Sequence, residues 1–161
     1  MSDGALAPAL SIAAAGLALS FASSQRAQLW AVAALLASAL AAALPELPAA
    51  FAAPALVGCW FSVIAAAAAV HLRRGSGSGP ALALAVNCGL WAGLVSGAEG
   101  GLSTLAPALP LALLCLPGGW LVARGRGIAV KVVLSWLAAA AVLSIGLGMA
   151  PTLGYEPDHR E

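Results

Sequence analysis

Polar and charged residues interrupt long apolar stretches at regular intervals along the chain. A bilayer core about 30 Å thick is crossed by a helix of about 20 apolar residues, and the stretches have roughly that length. The pattern therefore predicts an all-α, polytopic integral membrane protein: a bundle of six transmembrane helices over residues 1–150, then a short hydrophilic tail at 151–161. The predicted helices lie at about 4–23, 28–44, 49–71, 80–98, 106–123 and 128–150.

The charged residues predict the orientation of this bundle, because Lys and Arg in short loops are retained on the cytoplasmic side. Six of the seven basic residues fall at one end of the predicted bundle: Arg26, Arg73, Arg74, Arg124, Arg126 and Lys131. All six acidic residues fall at the other end: Asp3, Glu46, Glu99, Glu156, Asp158 and Glu161. We therefore expect the N-terminus and the C-terminus both to lie outside.

Composition narrows the class of protein further. The chain is 62% hydrophobic and 8% charged, with a mean hydropathy of +0.99, which excludes an ordinary soluble domain. A net charge of +1 gives no basic excess for binding nucleic acid. The apolar content comes largely from 42 alanines, so close helix packing is expected. Such Ala-rich composition is associated with GC-rich bacterial genomes, and on that basis we expect the bacterial inner membrane.

Glycines recur at a strict spacing of four in the fourth predicted helix and just beyond it. Residues four apart lie on one helix face, and without Cβ atoms they let another backbone approach closely. We call Gly89, Gly93 and Gly97, with Gly101 as the next in the series, the glycine ridge. It predicts either an interface with another subunit or packing against a helix of the same chain, and the sequence favours neither.

The fifth predicted helix contains residues that interrupt a helix. Pro107 and Pro110 fall in its first turns, and Pro117, Gly118 and Gly119 follow past its middle. Pro117 removes a backbone donor, so we expect a kink there. An ordinary proline kink is the simpler interpretation, and a discontinuous helix lining a solute cavity is the functional one.

Three cysteines and one amide supply the polar chemistry of the predicted spans. Cys59, Cys88 and Cys115 lie on three different helices at a similar predicted depth, with Asn87 beside Cys88. Three thiolates at one depth could hold a soft ion such as Cu(I). Cysteine is more often a small packing residue, and the usual metal-binding spacings are absent from the sequence, so we assign no metal and no cofactor.

Ionisable side chains are scarce within the predicted spans, and no nucleophile, phosphate-loop or zinc-hydrolase motif is present. We therefore expect no enzymatic activity. Two functions are predicted. The first is a non-catalytic accessory or scaffold subunit of a larger membrane complex, with other subunits or further copies of itself as partners in the lipid bilayer. The second is a small channel or carrier for a neutral solute or soft metal ion at the break in the fifth helix.

Overall fold

The computed structural model describes residues 3–45, 47–72 and 78–149, and these residues form a helical bundle without β-strands. Five helical segments are long and apolar enough to cross a membrane, so the protein is membrane-embedded. Four are continuous: α2 (Gln25–Ala43), α3 (Ala52–Leu72), α4 (Ser78–Glu99) and α7 (Gly127–Met149). The fifth, Leu102–Ala123, we call the broken span; it contains α5 (Leu102–Leu105), a 3-10 helix (Leu109–Leu114) and α6 (Cys115–Ala123).

The first predicted helix forms α1, which spans Asp3–Leu19 and is shorter than the other five segments, with 17 residues. It lies at the centre of the bundle and contacts α2, α3, α4, the broken span and α7. Every residue from 11 to 20 is buried, and seven of these ten residues are alanine, glycine or serine. Small side chains let several helices approach one axis, and the core of the bundle therefore surrounds α1.

The helices begin and end close to the predicted boundaries, with differences that local hydrogen bonds explain. α1 ends at Leu19, and three successive backbone N–H groups, those of residues 20 to 22, turn back onto its last carbonyls. α2 begins at Gln25 rather than near residue 28, because Ser24 caps it: Ser24 Oγ accepts from the Ala27 N–H at 3.2 Å. The predicted connector at 24–27 is therefore mostly helix.

The outer surface of the bundle is apolar, as contact with lipid requires. α7 is the most peripheral long helix: it packs mainly on α3 and α6, and its side chains Trp136 and Leu143 are 76% and 63% exposed. Its inward side is the stripe of Val130, Leu134 and Ala141, spaced by about one or two turns. α7 thus divides into a lipid-facing side and a narrow packing side.

The basic residues that the structure describes gather at one end of the bundle, where α1, α3 and the broken span end. Lys131 Nζ lies 5.9 Å from the centre of the Phe21 ring, and His71 Nε2 lies 3.0 Å from Ser135 Oγ. Arg124 stacks on Trp120 at 4.0 Å. The predicted contributions of Arg73, Arg74, Glu46 and the tail at 151–161 lie outside the described residues.

Candidate functional site

The glycine ridge faces α2 of the same chain. A methyl group added to Gly89 would overlap Ser38 Oγ and the Leu35 carbonyl oxygen, and one added to Gly93 would overlap the Ala39 carbonyl oxygen. α2 and α4 form the most extensive helix pair in the bundle. These glycines therefore pack against a helix of the same chain, which is the second of the two predicted alternatives.

The ends of the ridge behave differently from its middle. At Gly97 an added Cβ would lie 3.1 Å from the Pro45 carbonyl oxygen, which is still a close approach. Gly101 lies beyond α4, and its φ of +66° places it in the left-handed region, where glycine is favoured. Its N–H donates to the Ser96 carbonyl at 2.6 Å, so Gly101 turns the chain at the end of α4.

The surface of α2 that receives the ridge has a spacing of four as well. Its buried residues are Ala31, Leu35, Ala39 and Ala43. Two complementary small-residue faces therefore meet along most of both helices. The sequence analysis missed the α2 face, because a series of three alanines and one leucine at spacing four does not stand out in a chain that contains 42 alanines.

Two of the three cysteines lie together in the core, between α1, α3 and α4. Cys59 and Cys88 are fully buried, and Cys88 Sγ lies 3.7 Å from the Ser62 carbonyl oxygen. Ser11 Oγ of α1 donates to the Cys88 carbonyl at 3.4 Å. This is a small, closely packed cluster of weakly polar groups, which fits the use of cysteine as a packing residue.

Cys115 belongs to a different part of the bundle. Its carbonyl lies against Ser20, just past the end of α1, whereas Ser11 lies eight residues before that end, a separation of about 12 Å at about 1.5 Å per residue. The broken span begins at Leu102 rather than at residue 106, so Cys115 lies past the middle of the span, nearer the end of the bundle that carries the described basic residues. Among the described residues, no group of three or more His, Cys, Asp or Glu side chains is arranged to hold a metal ion.

The break in the fifth span lies upstream of the predicted position. Pro117 is the third residue of α6, within the first turn, where a missing N–H interrupts no helical hydrogen bond. Gly118 and Gly119 continue α6 without interruption. The irregular backbone instead covers residues 106 to 114, where Pro107 and Pro110 prevent a continuous α-helix and a 3-10 helix forms.

Close packing against α1 accommodates this irregular backbone. A Cβ on Gly16 would lie 2.9 Å from the Leu111 carbonyl oxygen and 3.0 Å from that of Ala112. A methyl group on Gly118 would overlap Ser20 Oγ. Non-helical backbone at membrane depth persists where protein surrounds it, and Gly16 lets α1 supply that cover.

Two side chains donate to the backbone carbonyl of Cys115, which is the first residue of α6 after the irregular segment. Gln28 Nε2, from α2, donates to the Cys115 carbonyl oxygen at 2.9 Å. Ser20 Oγ, from the turn after α1, lies 3.4 Å from the same oxygen and 3.5 Å from the Gly16 carbonyl oxygen. The Cys115 carbonyl therefore joins three elements of the bundle through hydrogen bonds.

An open cleft of about 530 Å³ surrounds these hydrogen bonds, and we call it the Gln28 cleft. It lies between the α1–α2 turn and α6, at the end of the bundle that carries the described basic residues. Ser20, Gln28 and Cys115 line its inner part, while Ser24 and Trp120 line its mouth. Its lining contains hydroxyl, amide and apolar groups but no charged side chain.

Asn87 lies apart from this cleft, on the outward side of α4. Its Nδ2 donates to Ser62 Oγ at 2.9 Å, and Ser62 Oγ lies 3.0 Å from the Gly58 carbonyl oxygen. The side chain of Asn87 is exposed, whereas that of Ser62 is buried. Asn87 and Cys88 therefore both contact Ser62, but the Asn87 side chain is exposed at the surface of the bundle while that of Cys88 is buried in the core.

Comparison with known proteins finds no relative of this chain. No protein-family model, no curated protein and no solved structure matches the chain.

Proposed function

We propose that the chain crosses the membrane six times, with both termini outside and the end that carries Arg26 and Arg124 in the cytoplasm. At about 1.5 Å per residue, the 17 residues of α1 extend about 25 Å, near the lower limit for a transmembrane helix. Burial of α1 among the other spans supports this assignment, as does the gathering of described basic residues at one end. A bacterial inner membrane remains our proposed location.

We further propose that the protein is a small carrier for a neutral polar solute, bound in the Gln28 cleft. The observation that carries this proposal is an uncharged cleft with hydrogen-bond donors beside the broken span. A lining of this kind gives a charged solute no compensation for lost water, whereas a neutral solute can exchange hydrogen bonds with Gln28 and Ser20. Discontinuous helices border the binding sites of many transporters.

The chemistry of the cleft favours a neutral solute over the soft metal ion considered from the sequence. Cys115 lies at the cleft, but Cys59 of α3 and Cys88 of α4 are buried in the core, away from the cleft. A single thiol is a poor site for a soft metal ion, which prefers several such ligands. A solute oxygen, in contrast, can accept from Gln28 in place of the Cys115 carbonyl, since both are acceptors of the same donor.

An accessory or scaffold subunit is the second candidate. The glycine ridge no longer supports it, because these glycines pack on α2. The observation that favours it is the exposed amide of Asn87 on the outer surface of α4. Partners that co-purify from the native membrane in a fixed ratio would support this candidate, and a protein that purifies without them would count against it.

Solute entry into vesicles tests the carrier proposal. Liposomes containing the purified protein should swell faster than protein-free liposomes in glycerol or urea, as measured by stopped-flow light scattering. Gln28→Leu should slow this swelling, because it removes the donor at the inner end of the cleft. Ser20→Ala should slow it by a smaller factor, since Ser20 lies farther from the shared carbonyl.

Ser38→Ala is the matched control for these variants. Ser38 is on α2 as Gln28 is, but its hydroxyl donates to the Leu35 carbonyl of its own helix and is away from the cleft. Swelling of Ser38→Ala vesicles should equal that of the wild type. Wild-type swelling at the protein-free rate, or an unchanged rate in Gln28→Leu, would overturn the proposal.

A further inference from the structure

The outer surface of α4 carries an amide at the middle of a membrane-spanning helix. Asn87 is nine residues from the start of α4 and twelve from its end. It precedes Gly89 by two residues, which is a rotation of about 200° around the helix axis. Asn87 therefore lies on the side of α4 opposite the contact with α2, and its side chain is exposed.

The chain satisfies only part of the hydrogen-bonding capacity of this amide. Nδ2 uses one N–H to reach Ser62 Oγ, whose own proton is directed to the Gly58 carbonyl. Within residues 3–45, 47–72 and 78–149, no donor is hydrogen-bonded to Asn87 Oδ1. Lipid tails offer no hydrogen bonds, so an outward acceptor and N–H at this depth favour a protein partner over lipid.

The neighbours of Asn87 form a regular packing seam. Ala83, Asn87, Leu90 and Leu94 follow one another at spacings of four, three and four, and we call them the amide seam. The first three are exposed and Leu94 is half-buried. This spacing is that of the a and d positions of a coiled coil, in which an Asn at one a position pairs with its counterpart and fixes the register of a parallel dimer.

We propose that the amide seam is a homodimer interface, in which α4 packs against α4 of a second copy of this chain. A carboxamide is both donor and acceptor, so two copies of Asn87 can satisfy each other across a two-fold axis. Copies inserted with the same orientation place Asn87 at the same depth, and the pair then forms without a register shift. A different subunit would need its own polar group at that depth.

This proposal does not depend on the carrier function, and the purified protein in lipid vesicles tests it. Photobleaching steps of a single dye per chain should show two-step particles for the wild type at a fixed protein-to-lipid ratio. Asn87→Leu should weaken association about three- to thirty-fold, the range that hydrogen bonds between membrane helices span. Ser62 keeps its bond to the Gly58 carbonyl in this variant, so the fold should survive.

Crosslinking provides a second test that does not require the Asn87 variant to fold. Leu90→Cys should form a disulfide between copies under mild oxidation in vesicles, because d positions face each other in a parallel dimer. Leu143→Cys, on the exposed side of α7, is the matched control and should remain without a disulfide between copies. The wild-type protein is the negative control for crosslinking, since its three cysteines are buried within the bundle.

Either test can overturn the proposal. Single-step photobleaching of the wild type at every protein-to-lipid ratio would show that a second copy is not the partner. An Asn87→Leu variant that folds and associates as tightly as the wild type would remove the amide from the interface. Equal crosslinking of Leu90→Cys and Leu143→Cys would mean that the contacts are random collisions.

Discussion

Gly93 shows how little space separates α4 from α2. The Ala39 carbonyl oxygen and the Ala42 side chain occupy the position that a Cβ would take. Backbones this close gain dispersion and Cα–H···O contacts, which replace the hydrophobic driving force that lipid removes. A single methyl group is enough to disturb this contact.

Gly93→Ala should therefore lower the free energy of unfolding by about 1–3 kcal/mol, the usual cost of overpacking a tight interface. The measurement is equilibrium unfolding in mixed micelles with increasing SDS. Gly146→Ala is the control, because no atom lies within 4 Å of its added Cβ. That change should be neutral or slightly stabilising, since alanine favours a helix over glycine. Equal losses in both variants would contradict the packing explanation.

The sequence predicts the packing role of an individual residue only where the spacing of that residue is unusual. The glycines of α4 stand out at spacing four, and their role in close packing was predictable from that. Their partner face on α2 was not, because Ala31 and Ala39 are two among many alanines. The close contacts of Gly16 and Gly118 were equally unpredictable, since Gly16 of α1 meets the irregular backbone at Leu111 and Gly118 of α6 meets the side chain of Ser20, and neither contact is a sequence pattern.

The broken span shows how the position of a proline within an element decides its effect. Three prolines occur in this segment, yet only Pro107 and Pro110 coincide with irregular backbone. Pro117 falls in the first turn of α6, where it is tolerated. The sequence predicts an interrupted segment and includes Pro107 and Pro110 among its causes, but the kink that it expects at Pro117 is absent, because α6 starts only two residues before that proline.

Adjacent glycines of α6 should respond differently to the same substitution. Gly118→Ala should destabilise the protein, because its methyl group would overlap Ser20 Oγ and push α6 away from α1. Gly119→Ala should be tolerated, since its nearest neighbour, Gln28 Nε2, is at an ordinary contact distance of 3.6 Å. Thermal unfolding in detergent compares the two, and a larger loss for Gly119→Ala would contradict the described packing of α6.

For the whole molecule, the alternation of apolar and polar segments predicts the helical bundle well. The sequence does not predict which helix lies at its centre. All predicted spans are Ala-rich, and the burial of α1 depends on contacts with α3, α4 and the broken span that its own residues do not encode. The exposed outer side of α7 is likewise a property of the assembled bundle.

The proposed orientation of the bundle gives a prediction at this scale. Ser24→Cys, beside Arg26, should react with a membrane-impermeant maleimide in inside-out vesicles and stay unreacted in right-side-out vesicles. Ser103→Cys is the matched position at the opposite end and should show the reverse. Both serines are exposed, so accessibility alone does not separate them. Labelling of both from the same side would contradict the proposed topology.

The central position of α1 has a consequence for how the protein is made. In the proposed six-span topology, α1 enters the membrane before the other described helices, yet Ser11 within α1 and Ser20 just after it find acceptors in residues 77 and 95 positions later in the chain. At a synthesis rate of 5–20 residues per second, the longer of these delays is about 5–20 s. During that interval Ser11 and Ser20 lack these partners. In that topology, the packing of α1 is thus completed only after most of the described helices have followed it.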